Sequence, residues 1–150
     1  MTLTDLTPMT PPDAAAIRGL LDAIAAAYRV RDAQAIARRY EPDARIADLA
    51  PPLLRRGFNC EAIQAWLDGW DGPVEVATRD LVIEVDGDLA VAHGLQHVST
   101  RSRGGEQVAW WSRVTRTLAR TPAGWRITHE HDSVPFHMDG SFRAAVDLEP

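Results

Sequence analysis

The 150-residue chain has room for one domain with one core, and its 45% apolar and 25% charged residues are globular values. A net charge of −5 with no cluster of basic residues argues against a nucleic-acid partner. No apolar run approaches the ~20 residues that span a bilayer, so no membrane partner is expected, and the single Cys60 excludes an internal disulfide and a thiolate metal cage.

Residues 1–12 are expected to form a flexible leader, because Pro8, Pro11 and Pro12 oppose regular structure. The segment lacks the basic and apolar regions of a secretory signal, which makes a cytoplasmic protein the expectation. The domain proper is expected over 13–136, with Asp13 as a helix cap. Ile17, Leu20, Leu21, Ile24 and Tyr28 then recur at helical spacing. A second, shorter helix is predicted from Asp32 as N-cap, with Ile36 and Tyr40 as its buried stripe and Pro42 as its end.

Ala44, Ile46 and Asp48 alternate with Arg45 and Ala47 as in a short strand, which puts a carboxylate on the apolar face. Ala50-Pro51-Pro52 closes that strand, and Gly57 ends the following loop. A third helix carries Ile63, Trp66, Leu67 and Trp70 and stops at Asp71-Gly72-Pro73. The rest splits at turn signals into four strands, Val74 to Val85, Leu89 to Thr100, Val108 to Leu118 and Trp125 to Val134. Helices first and strands afterwards is an α+β pattern. The tail, 137–150, is too mixed to be read beyond a lid or an extension.

The order helix, helix, short strand, helix, four-stranded meander resembles the nuclear transport factor 2-like superfamily. Tyr40 to Asp48, read Tyr-Glu-Pro-Asp-Ala-Arg-Ile-Ala-Asp, looks like the ketosteroid isomerase segment that ends in the general-base aspartate. Gly124 to Phe136 and Trp111-Ser112-Arg113-Val114-Thr115 resemble strands of SnoaL-like proteins. The resemblance covers nearly the whole chain. It implies a cone-like fold, with three N-terminal helices packed on a strongly curved antiparallel sheet enclosing a pocket, and a homodimer formed through the sheet. Ketosteroid isomerases and polyketide cyclases are the relatives it implies, working without metal or organic cofactor. Of the three tyrosines in the isomerase oxyanion network only Tyr40 matches a position here. Ile24 and Leu67 stand at the others, and Tyr28 lies one helical turn beyond Ile24.

Asp48 has two readings. A carboxylate in an apolar concavity has its charged form disfavoured, which suits general acid or base work; an aspartate here also caps a Pro-rich turn through its own backbone. Arg113, expected on a cavity-lining face with Trp111 and Thr115, either polarises a carbonyl or pairs with Asp48, Glu130 or Asp132. His93 and His97 are expected to face the cavity beside Val91 and Leu95, as proton shuttles or as satisfied core residues. On the last strand His129 and His131 share a face with Trp125 and Ile127 in regular alternation, leaving Glu130 and Asp132 on the other, which superfamily geometry turns inward. The His-x-His spacing suits two ligands of a metal, but nothing completes a motif, and no metal site is expected. Trp70 and Trp111 are assigned to the pocket, Trp66 and Trp125 to the core. Together these readings describe acid/base catalysis, as in an isomerase, cyclase or dehydratase, on a hydrophobic carbonyl compound. A non-catalytic binding or assembly module and an epoxide hydrolase built on Asp48, Arg113 and Asp132 are the alternatives.

Overall fold

A computed structural model describes residues 12–150; of the leader expected over 1–12, all but Pro12 lie outside the described residues. The helices are α1 (Pro12–Arg29), α2 (Ala33–Ala37) and α3 (Cys60–Asp68). The strands are β1 (Tyr40–Ala47), β2 (Arg55–Arg56), β3 (Glu75–Asp86), β4 (Leu89–Arg101), β5 (Gln107–Thr121) and β6 (Gly124–Ser133). They form one sheet in the order β2-β1-β6-β5-β4-β3, in which β1 runs parallel to β6 and every other pairing is antiparallel. The expected meander is therefore extended by β1 and by a two-residue strand inside what reads as a loop. Among the described residues no helix is long and apolar enough to cross a membrane.

α1 buries Ala14, Ile17, Leu20, Leu21, Ile24 and Ala27 against the concave side of the sheet. Each fully buried Leu or Ile contributes about 1.5–3 kcal/mol of transfer free energy. Asp13 is helical rather than a cap, because its carboxylate is committed elsewhere. It accepts two 2.8 Å hydrogen bonds from Arg120 on β5 and one of 3.2 Å from the Trp125 indole on β6, tying the start of the helix to the sheet. α2 starts as expected, with Asp32 accepting from the Ala35 N–H at 2.9 Å. It is too short to reach Tyr40, which opens β1 beside Ile127, and Pro42 lies within that strand instead of ending a helix. Asn59 caps α3 by accepting from the Ala62 N–H.

Two irregularities shape the sheet. On β3 the pairing with β4 slips between Arg79 and Val82, with Asp80 at φ 55°. The bulge leans on Gly94, where an added Cβ would stand 2.9 Å from the Arg79 carbonyl oxygen. That contact requires glycine, and the bulge bends β3 around the core. On β6, Ile127 pairs with Leu118 and His129 with Thr117, so Thr128 is surplus. Its hydroxyl meets that of Thr117 at 2.8 Å and donates to the Thr117 carbonyl at 3.1 Å. Bulges of this kind reverse the facing of every residue beyond them.

Candidate active site

A cavity of about 300 Å³ lies between the sheet and α3. Its helical side is apolar, with Phe58, Ala62, Ile63 and Trp66, and Tyr28 reaches in from α1. Its sheet side carries Val98 and Trp110 but also Gln96, Ser112, Glu130 and Asp132. Leu49, Ala50 and Pro51 close the rim, with Asp48 and Arg55 at either end of their loop. Pockets of this size and mixed lining are the usual sites for small ligands.

Asp48 directly follows β1 and lines this cavity, as a strand-end position on the Ala44 and Ile46 face should. Its Oδ1 accepts from the Leu49 N–H at 2.6 Å and its Oδ2 from Arg55 Nη2. The turn-capping reading and the pocket reading are thus both geometrically satisfied. About 30% of the Asp48 side chain remains exposed, at the cavity mouth.

The polar heart of the cavity lies deeper. Glu130 Oε2 accepts from the Tyr40 hydroxyl at 2.7 Å and from Arg116 Nε, and Arg116 also donates to Gln96 Oε1 at 2.9 Å. Arg116 and Glu130 are both buried. Burial alone would raise the Glu130 carboxyl, but the Arg116 charge and the Tyr40 hydroxyl outweigh it and hold the group below the ordinary glutamate range. Asp132 goes the other way. Burial and the adjacent Glu130 charge push its carboxyl well above the ordinary aspartate range, and Asp48 adds to the effect. Its Oδ1 is buried without a partner. Tyr28 and Tyr40 are also raised, first by burial and then by the Glu130 charge, so both stay protonated hydrogen-bond donors.

Four residues assigned to the cavity from sequence face away from it. His93, His97, Trp111 and Arg113 stand on the convex side of the sheet; Trp111 stacks on His97 with ring centroids 4.7 Å apart, and exposed Arg113 donates to Ser133 at 3.1 Å. The cause is the space beneath the helices. The concave row of β4 is Ala90, Ala92 and Gly94, small enough for the core to close over it, so the larger Val91, His93, Leu95 and His97 row points out. β5 follows in register, burying Ser112, Val114, Arg116 and Leu118. Trp70 lies beyond the end of α3, off its stripe, where its carbonyl accepts from Arg31; Trp66, expected in the core, lines the cavity with Trp110 instead. Trp125 is buried as expected. His129 and His131 do not share a face with Trp125 and Ile127, because the Thr128 bulge intervenes; Glu130 and Asp132 line the cavity. Ile24 and Leu67 are core residues. Among the described residues no group of three or more His, Cys, Asp or Glu could hold a metal ion.

Sequence reasoning missed Arg116, Gln96, Ser112, Arg55 and Trp110. For the β5 members the signal was present: Val108, Trp110, Val114 and Leu118 make the more apolar alternate row, and Ser112 and Arg116 belong to it.

Comparison with known proteins agrees with this architecture. The fold is similar to that of a nuclear transport factor 2-like protein of unknown function from Pseudomonas putida KT2440, with 27% identity, a TM-score of 0.79, and coverage of 91% of this chain and 95% of that one. A nuclear transport factor 2-like protein with a cystatin-like fold from Novosphingobium aromaticivorans shares 26% identity at a TM-score of 0.67, over 92% of this chain and 90% of that one. A Streptomyces avermitilis structure, provisionally described as a dehydratase of the same family, has a TM-score of 0.72 over 81% of this chain and 95% of that one; its 15% identity speaks to fold alone. No curated protein matches the chain. The SnoaL-like domain family matches residues 17–137, from the first helix to just past the last strand, and the chain belongs to that family, within the nuclear transport factor 2-like superfamily.

Proposed function

We propose that the chain is an acid/base enzyme for a small, largely hydrophobic carbonyl compound. The observation that carries this reading is the contrast between two carboxyl groups in one cavity. Asp48 is ion-paired with Arg55 at the mouth, while at depth burial and the Glu130 charge favour the protonated form of Asp132. Neighbouring carboxyls whose environments drive their ionisation apart are the arrangement used for paired acid and base work; ketosteroid isomerase is the reference case for the logic.

Asp48 takes the proton from the carbon next to the carbonyl, and the electron pair moves onto the carbonyl oxygen. The oxyanion is stabilised by the Tyr28 hydroxyl and the Asp132 acid, the part first assigned to Arg113. Return of the proton to a different carbon gives isomerisation. Attack of the enolate on a second carbonyl gives cyclisation. Loss of a β-hydroxyl, protonated by Asp132 as the carbon–oxygen bond breaks, gives dehydration. Epoxide hydrolysis by Asp48, Arg113 and Asp132 finds no support, since Arg113 stands on the opposite face of the sheet.

The test is Asp48→Asn. Turnover should fall roughly 10²–10⁴-fold, the usual weight of a general base, while ligand affinity is retained. A wild type that binds ketones but turns none over would return the protein to the binding-module reading.

The expected homodimer has a surface that suits it. The convex face carries Val91, Leu95 and Trp111 at its centre, Glu84 and Asp86 toward the β3 edge, and Arg45, His129 and His131 toward the β1 edge. A second copy turned by half about an axis along the strands lays Glu84 and Asp86 over Arg45 of the first.

A further inference from the structure

We propose that Ser112 and Asp132 form a two-point anchor selecting ligands with two oxygens along one edge, a hydroxy-ketone over the corresponding simple ketone. This deepens the reading above and rests on it, because it concerns the same cavity. The observation is a pair of orphaned polar atoms. Ser112 is only 4% exposed, yet its hydroxyl has no hydrogen-bond partner, and Asp132 Oδ1 is buried and equally unpaired. Both residues line the cavity. Arg39 Nε, Thr100 Oγ1 and Trp70 Nε1 are unpaired too but lie outside its lining, and Arg55 Nε, the third unpaired atom of the lining, belongs to the guanidinium that pairs with Asp48 at the mouth, which leaves Ser112 Oγ and Asp132 Oδ1 as the orphans of the sheet wall.

The sheet register brings them together. Val114 pairs with Asp132, and Ser112 precedes Val114 by one inward position, so the two are diagonal neighbours with Cβ atoms about 7 Å apart. Local partners do not answer them. Gln96, directly across from Ser112, has its amide oxygen committed to Arg116, and Glu130 has one carboxylate oxygen committed to Tyr40 and Arg116. A buried hydroxyl without a partner is costly, so a ligand oxygen that reaches it is rewarded and an analogue without that oxygen is penalised. The facing wall, Ile63 and Trp66, offers only apolar contact; the ligand that fits is amphipathic, with a hydrocarbon face toward α3 and its oxygens toward the sheet.

Titration of the protein with 1-tetralone and with 2-hydroxy-1-tetralone, whose two oxygens sit on adjacent carbons of one edge, followed by quenching of Trp66 and Trp110, tests this. The hydroxy-ketone should bind at least about tenfold tighter, roughly one good hydrogen bond to a buried partner. In Ser112→Ala that advantage of the hydroxy-ketone over 1-tetralone should shrink to about twofold or less. Equal affinities in the wild type, the result if a bound water satisfies both atoms, overturn the anchor and leave the catalytic reading standing. So does an advantage that survives Ser112→Ala. Discrimination without turnover of any hydroxy-ketone removes the catalytic reading and keeps the anchor. If neither ketone binds, the ligand-pocket reading fails and the anchor with it.

Discussion

At the scale of single residues, the cavity is governed by which charges have partners. Glu130 is enclosed by Arg116 and Tyr40, which favour its ionised form; Asp132, two residues on, has no cation of its own, and burial beside Glu130 favours its protonated form. A pH dependence follows. The folded-state pKa of Asp132 lies above its unfolded value, so the folded chain binds the extra proton. The resulting stability is fully present below the ordinary aspartate range and is lost as pH rises through the elevated folded value. Urea midpoints should therefore fall for the wild type relative to Asp132→Asn as pH rises through that window, at about 1.4 kcal/mol per unit. Parallel curves would mean that Asp132 ionises normally. Part of this was legible in advance. The segment Tyr40 to Asp48 delivers Asp48 to the cavity, and Tyr28 lines it one turn from Ile24. Arg113 and Arg116 were not separable by chemistry, because an arginine interrupts both alternating rows of β5; the apolar content of the rows decides, and it favours Arg116.

Among the elements, the two bulges do the shaping and are the least readable features. Nothing in the composition of β3 marks Asp80 as left-handed, or Gly94 as the floor on which the bulge rests. Gly94→Ala should destabilise the protein by about 1–3 kcal/mol, the cost of overpacking against backbone, read as a shift in denaturant midpoint at constant slope. A neutral substitution would show that the bulge relaxes freely. Among helix boundaries the Asp32 start of α2 was legible, whereas α3 ends at Asp68, ahead of the Asp71-Gly72-Pro73 stop expected for it. α2 stops short of its expected end because Tyr40 is drawn into the sheet beside Ile127 and its hydroxyl onto Glu130.

For the whole molecule, the concave side of the sheet is filled by α1 and the cavity, while the convex side is left with His93, His97 and Trp111. If that surface meets a second copy, sedimentation should give twice the 16.5 kDa chain mass, and Trp111→Glu should give the single-chain mass with the circular dichroism unchanged. A wild type that sediments as one chain would remove the dimer. The overall architecture was legible because helical stripes and hairpin turns are local signals, whereas facing depends on a count that one surplus residue resets. Thr128 is that residue. Straight alternation from Trp125 would present two imidazoles to the interior in place of two carboxyls. An insertion or deletion in this stretch, more than any substitution, is thus the shortest path from a carboxyl-lined interior to an imidazole-lined one on this scaffold.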